Sequence, residues 1–158
     1  MKNIPYIGKL ITIRTFFKVM FAGSAAISFF FFIAFIFELL GGSQRTVEAA
    51  AYAAFSGLIA AALFLLIKIM KSIIEERPFT EDNVRYFNII SKLTFCGAAI
   101  NYIERLDADS GLRLLNLNKY IQFTPDTLFV LLLACIAWVM GVIFKMAADI
   151  KKENDLTI

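Results

Sequence analysis

The stretch VMFAGSAAISFFFFIAFIFELL, residues 19–40, is an apolar run of about 22 residues, and about 20 are enough to cross a bilayer. The core of a cleavable signal peptide is shorter, about 7–15 residues, and no convincing small-x-small cleavage site follows this run. Gly41, Gly42 and Ser43 come next, and glycine is favoured just past the end of a helix. The stretch therefore predicts a first membrane-spanning helix over about residues 16–40.

Three further stretches predict spans at about residues 47–74, 80–105 and 125–150. Polar residues interrupt the third of these: Asn88, Ser91, Lys92, Thr94 and Asn101. The alternative is therefore a three-span protein whose third helix lies at the membrane interface. We predict an all-α integral membrane protein, a four-helix bundle that forms a single domain over residues 1–158.

The composition agrees with a membrane protein and excludes several other classes. Hydrophobic residues make up 59% of the 158 residues even without glycine, whereas soluble domains reach about 45–50% with glycine included. Charged residues make up 18%, against about 25% in soluble domains. The mean hydropathy is +0.73. A soluble enzyme domain, a disordered chain and a secreted disulfide framework are excluded.

The residue types present offer little catalytic chemistry. The chain has no histidine, which is the commonest general base and metal ligand. The two cysteines, Cys96 and Cys135, lie in apolar segments without a CxxC pair, and we predict that both are small buried residues. We therefore expect no enzyme activity, no metal and no cofactor. The net charge of +3 has no clustered basic face, so direct binding of nucleic acid is not expected.

The distribution of lysine and arginine predicts the topology. Twelve of the 16 lie before the first span, around the link between the second and third spans, or after the fourth span. The positive-inside rule places those segments in the cytoplasm. Both termini are then cytoplasmic, which requires an even number of spans.

Small residues recur at every fourth position of the second span: Ala49, Ala53, Gly57 and Ala61. Such a stripe allows two helices to approach closely. It predicts either a contact inside the bundle or a homo-oligomer formed through this face.

Three polar residues near the outer ends of the first and third spans form a candidate ligand site. Glu38 lies in the first span, and Asn101 and Glu104 lie in the third at a similar depth. Acidic groups inside a membrane are costly and are often functional, although Glu38 is close enough to the turn to reach water. The hypothesis is that the three side chains converge on a cavity open to the outside.

The link between the second and third spans contains a helix-start motif. Pro78 ends the second helix, and Thr80 is a favourable N-cap for the third. Asn83 is placed to reach back as in a capping box, and Phe79 and Val84 fit a hydrophobic staple. The motif sets the angle between two helices, and a binding role for Pro78, Phe79, Thr80 and Asn83 is a further hypothesis.

The chain ends in a short charged segment followed by apolar residues. Membrane anchoring explains the lysines but does not explain an apolar end in water. The hypothesis is that this tail docks on the protein's own cytoplasmic face or on a partner. Its candidate binding residues are Glu153, Asp155, Leu156, Thr157 and Ile158.

Two motifs carry a resemblance to a known family: Pro78-Phe79-Thr80 with Asn83, and Ile143-Phe144 with the ending at 153–158. With four spans, these make the chain resemble the bacterial membrane-protein family catalogued as domain of unknown function 2975. The resemblance covers essentially the whole chain and implies no catalytic residues. Because members are often encoded beside a small helix-turn-helix regulator, it implies a membrane partner of a transcription factor in the bacterial cytoplasmic membrane.

Two hypotheses for function follow. The first is a non-enzymatic regulatory or sensory membrane protein, in which the Pro78–Asn83 turn and the 153–158 tail hold a cytoplasmic helix-turn-helix regulator. The alternative is a small transporter or ligand-binding bundle that uses Glu38, Asn101 and Glu104.

Overall fold

The structure, a computed structural model, describes residues 7–42, 45–106, 115–118 and 121–156. Within these ranges the chain forms four helices: α1 (Ile7–Gly41), α2 (Thr46–Ile74), α3 (Glu81–Leu106) and α4 (Pro125–Leu156). Strands β1 (Leu115–Asn118) and β2 (Ile121–Phe123) lie between α3 and α4. The predicted all-α class with four helices is confirmed, and α1, α2 and α4 are each long and apolar enough to cross a membrane.

Two helices are longer than the predicted spans. α1 is continuous over 35 residues and begins at Ile7, because no proline interrupts it. α4 contains 32 residues and continues past residue 150 to Leu156. At 1.5 Å per residue these helices measure about 52 Å and about 48 Å, so both exceed the hydrocarbon thickness of about 30 Å.

α1 and α2 pack antiparallel along their lengths. Phe31 stacks on Tyr52 with ring centroids 5.4 Å apart, and Phe21 lies 5.8 Å from Phe64 three turns further along. Between these contacts, a Cβ added at Gly57 would lie 3.5 Å from the Ser28 hydroxyl oxygen. The small residues therefore let the backbones approach between two aromatic contacts.

α3 lies beside α2 and α4 over its whole length. At its start the Asn83 amide donates to the Ser72 hydroxyl of α2, and near its end Asn101 accepts from Thr127 of α4. In its middle the Ser91 hydroxyl donates to the Ala134 carbonyl oxygen at 3.0 Å. Two of the polar residues that interrupt the apolar pattern of α3, Ser91 and Asn101, thus bind α4.

The core is small and lies along the contacts of α3 with α2 and with α4. Its buried apolar residues are Ile69, Met70, Ile90, Ala98 and Ala134. Contacts are extensive between helices that are neighbours in the chain, and many phenylalanines of α1 point outward. Cys96, Cys135 and Trp138 are also exposed, so the prediction of buried cysteines is wrong. A row of helices leaves more apolar surface outside than a closed bundle would, and a bilayer is the environment that suits such a surface.

The two strands were not predicted. β1 and β2 pair antiparallel with Leu115 opposite Phe123, and the register is irregular between Asn116 and Asn118. LNLN, residues 115–118, and IQF, residues 121–123, each alternate apolar and polar residues, which is the pattern of a half-buried strand.

Candidate functional site

The turn between α2 and α3 begins with a Schellman motif. The Arg77 N–H donates to the Ser72 carbonyl at 2.9 Å, and the Glu76 N–H donates to the Ile73 carbonyl at 3.1 Å. This pairing requires a left-handed residue at the position of Glu76, whose φ is 58°. Glycine usually occupies that position, so Glu76 holds a conformation that costs an L-residue about 1–2 kcal/mol.

Thr80 caps α3, as predicted. Its hydroxyl oxygen accepts from the Asn83 N–H at 3.3 Å, and its carbonyl accepts from the Val84 N–H at 3.3 Å. The Asn83 side chain also reaches back, but its partners differ from those of a capping box. The amide nitrogen donates to the Pro78 carbonyl at 2.6 Å and to the Ser72 hydroxyl at 2.5 Å. Asn83 therefore ties the turn and the start of α3 to the end of α2.

Phe79 connects the same turn to α4. Its ring centroid lies 5.7 Å from that of Phe144, and the Phe144 ring lies 4.8 Å from Phe87 of α3. Aromatic pairs at these distances contribute beyond their buried area. The two sequence motifs, the Pro78–Phe79–Thr80 turn and the Ile143–Phe144 pair, thus meet in space.

Beyond Phe144, α4 continues as a helix for about three more turns. Residues 151–156 are all exposed, and Leu156 is 79% exposed. Leu156 is therefore not docked on the described part of the chain. Thr157 and Ile158 lie outside the described residues.

The candidate partner-binding residues divide into three groups. Phe79 is partly exposed at the turn, and Glu153, Asp155 and Leu156 are exposed on the extension of α4. Asn83 is 1% exposed, so its role in this arrangement is to shape the turn. Pro78 and Thr80 are half-buried.

The candidate ligand residues lie on helices that α2 separates. Glu38 is half-buried on α1, where its backbone carbonyl accepts from the Thr46 hydroxyl at 3.4 Å. The amide oxygen of Asn101 on α3 accepts from the Thr127 hydroxyl at 2.8 Å. That bond fixes the N-terminus of α4, because the Thr124 hydroxyl lies 2.9 Å from the Thr127 hydroxyl and accepts from the Thr127 N–H. The side chain of Glu104 lies outside the described residues, so convergence of the three stays a prediction.

The small-residue stripe of α2 is half-buried at Ala49, Ala53, Gly57 and Ala61. Gly57 faces Ser28 of α1, so within one chain this part of the stripe serves the α1–α2 contact. A homo-oligomer through the same face stays a prediction.

One polar feature was not singled out from the sequence. A groove of about 400 Å³ runs along the first three turns of α3, and its polar lining residues are Glu81, Asp82, Arg85, Asn88 and Lys92. Glu81, Arg85, Asn88 and Lys92 are spaced three or four residues apart, and residues with this spacing lie on the same face of a helix. In the described ranges, no group of three or more acidic or cysteine residues is placed to hold a metal ion.

Comparison with known families identifies the chain. A family model described as "Protein of unknown function (DUF2975)" matches residues 18–158. The match covers most of the chain, and the protein belongs to that family, as the two motifs indicated. No curated protein and no solved structure matches the chain.

Proposed function

We propose that all four helices cross the membrane and that both termini lie on the cytoplasmic side of a bacterial cytoplasmic membrane. The charge distribution supports this orientation, because twelve of the 16 lysines and arginines lie in or near the N-terminal segment, the α2–α3 link and the C-terminal segment. The contacts of α3 at both of its ends support a fourth span, because α3 runs beside two helices that are long enough to cross.

Within that topology, we propose a non-enzymatic regulatory protein that holds a soluble partner on the C-terminal extension of α4. The observation that carries the proposal is the exposed Leu156 at the end of a continuous helix. Single exposed apolar side chains are common on protein surfaces, but Leu156 ends an exposed helical stretch over residues 151–156, a form that a partner can bind as a helix in a groove. The family resemblance suggests a helix-turn-helix regulator as that partner.

The Phe79–Phe144 contact supplies a route from the membrane part to the partner. Phe144 lies on α4, so a shift of the α2–α3 turn displaces the base of the extension. A signal that alters the packing of α2 against α3 would in this way change the position of the tail. The position of the tail would then determine whether a bound transcription regulator is retained at the membrane or released.

Capture from native membranes tests the proposal. We would tag the N-terminus and compare the full chain with a chain that ends at Lys152. We expect to recover a helix-turn-helix protein with the full chain and not with the shortened chain. The point variant Leu156→Asp should also lose it, whereas Asp149→Asn, an exposed control on the same helix, should retain it.

Two results would contradict the proposal. Equal recovery by both chains would show that the tail is not the contact. Absence of a DNA-binding protein from both captures would remove the regulatory role.

A further inference from the structure

The groove along α3 carries a second inference, independent of the proposed partner. Its charged residues are ordered along the helix. Glu81 and Asp82 lie in the first turn, Arg85 follows one turn later, and Lys92 lies about 10 Å beyond Arg85 at 1.5 Å per residue. The carboxylates therefore lie at the N-terminal end of the groove, and the cations follow along the helix.

Lys92 lies well inside the helix row. Its neighbour Ser91 donates to the carbonyl of Ala134, which is near the middle of the apolar part of α4. Lys92 is nevertheless exposed, as is Arg85. An exposed ammonium group at this depth is costly in a bilayer unless it reaches the interface or an anion accompanies it.

The groove offers hydrogen-bond donors that the described chain does not use. Among the described residues, neither Arg85 nor Lys92 forms an ion pair, and the side chain of Asn88 has no hydrogen bond. The Asn88 amide oxygen faces Gly141 of α4, where an added Cβ would lie 2.8 Å from it. Side chains on a helix lean towards its N-terminus, so Lys92 leans towards Asn88 and Arg85. Three donors of this kind suit a phosphate.

The surroundings of the groove are apolar. Val84 and Ile89 complete its lining, and the exposed face of α3 continues beyond Lys92 with Phe95, Ala99 and Ile103. A lipid whose phosphate is bound in the groove could therefore extend its acyl chains along the same helix face.

We propose that this groove binds a phospholipid with a zwitterionic, ammonium-bearing headgroup such as phosphoethanolamine. Its phosphate contacts Arg85, Asn88 and Lys92, and its ammonium group donates to Glu81 and Asp82. The two cations and the two carboxylates match the phosphate and the ammonium group in sign and in order along the helix. An anionic headgroup without the ammonium group would leave the two carboxylates unpaired.

Lipid binding to the purified full chain tests this assignment. Native mass spectrometry would compare phosphatidylethanolamine, phosphatidylglycerol and phosphatidylcholine with identical acyl chains. We expect phosphatidylethanolamine to bind most tightly. The double variant Arg85→Gln/Lys92→Gln should weaken its binding at least about tenfold, equivalent to about 1.4 kcal/mol. The control Lys151→Gln/Lys152→Gln removes the same charge from the α4 extension and should leave binding unchanged.

A second variant tests the contact with the ammonium group separately from the contact with the phosphate. Glu81→Gln/Asp82→Asn should weaken phosphatidylethanolamine and strengthen phosphatidylglycerol, because the ammonium partner is lost and the anion is no longer repelled. Thermal unfolding of each variant reports whether the fold is retained.

Three results would overturn the proposal. The first is tighter binding of phosphatidylglycerol than of phosphatidylethanolamine by the unmodified chain. The second is unchanged lipid binding by the Arg85→Gln/Lys92→Gln variant. The third is displacement of the lipid by millimolar inorganic phosphate or O-phosphoethanolamine, which would assign the groove to a soluble ligand.

Discussion

The buried amide of Asn83 controls the geometry of the α2–α3 turn. Its nitrogen has two acceptors, a backbone carbonyl of the turn and a hydroxyl on α2. Buried hydrogen bonds contribute about 1 kcal/mol each, and leaving a buried partner unsatisfied costs about 1–3 kcal/mol. A single side chain therefore couples three segments near the end of the helix row.

Replacing this amide should destabilise the protein in a graded way. We expect Asn83→Ala to lower the free energy of unfolding by about 1–3 kcal/mol. We expect Asn83→Asp to lower it further, because the carboxylate has no N–H to donate and faces the Pro78 carbonyl. Unfolding of the purified protein in detergent measures this free energy for both variants. The exposed control Lys151→Ala should change it by about 0.5 kcal/mol or less, and an equal effect of Asn83→Asp and Lys151→Ala would refute the interpretation.

A substitution at Glu76 should stabilise the protein instead. Its left-handed conformation is strained for any residue with a Cβ, so Glu76→Gly should raise the free energy of unfolding by up to about 1 kcal/mol. The greater freedom of glycine in the unfolded chain offsets part of that gain. The neighbouring control is Glu75→Gly at φ −79°, where glycine relieves no strain and should destabilise. A lower free energy of unfolding for both variants would show that Glu76 is not strained.

At the scale of elements, the α3–α4 contact depends on a close approach of the two helices. Gly141 lies against Asn88, the Ser91 hydroxyl contacts the Ala134 carbonyl, and Thr127 contacts Asn101. Each polar group of α3 that faces α4 requires a backbone or a small residue opposite it. The hydrophobic effect is weak between helices in lipid, so such contacts determine which helices associate.

We expect Gly141→Ala to disrupt this contact. Its Cβ would lie 2.8 Å from the Asn88 amide oxygen, which is shorter than van der Waals contact. Because that oxygen is the end of a side chain that can rotate, the expected loss is about 1 kcal/mol in unfolding free energy, and Asn88→Ala should restore much of it. Gly23→Ala is the matched control, because no atom lies within 4 Å of its added Cβ. An identical effect of the two glycine variants would exclude the steric explanation.

At the scale of the whole molecule, the helices follow one another in a row with α1 at one edge. In the 18-residue apolar window of α1, no residue is buried within the chain. A bilayer is therefore the environment that suits that face. α3 lies between α2 and α4, and its polar residues Asn83, Ser91 and Asn101 form hydrogen bonds with these two helices.

Disulfide formation tests the row arrangement. In a chain with Cys96 and Cys135 replaced by alanine, Ser28→Cys/Gly57→Cys should form an intramolecular disulfide, because a Cβ at residue 57 lies 3.5 Å from the Ser28 hydroxyl. The control Ala22→Cys/Val139→Cys pairs α1 with α4 and should not crosslink within one chain. Efficient crosslinking of the control pair would indicate a closed bundle. Reducing and non-reducing gels distinguish the outcomes.

The topology has its own test. Fusions of a reporter that is active in the cytoplasm to each terminus should both be active, because an even number of spans returns the chain to the same side. Activity at one terminus alone would require an odd number of spans and would place α3 at the interface.

The amino-acid pattern by itself determined the class of the protein, the four helices, the turn between α2 and α3, and the family. These depend on local properties: the length of apolar runs, the cap at Thr80, and Pro78 where α2 has to stop. The tertiary structure alone decided the partners of Asn83 and Asn101, the meeting of Phe79 with Phe144, and the outward position of Lys92. These depend on which helix faces are opposed. Between helices in lipid, that choice comes from close steric fit and polar contacts across distant parts of the chain, which apolar periodicity does not encode.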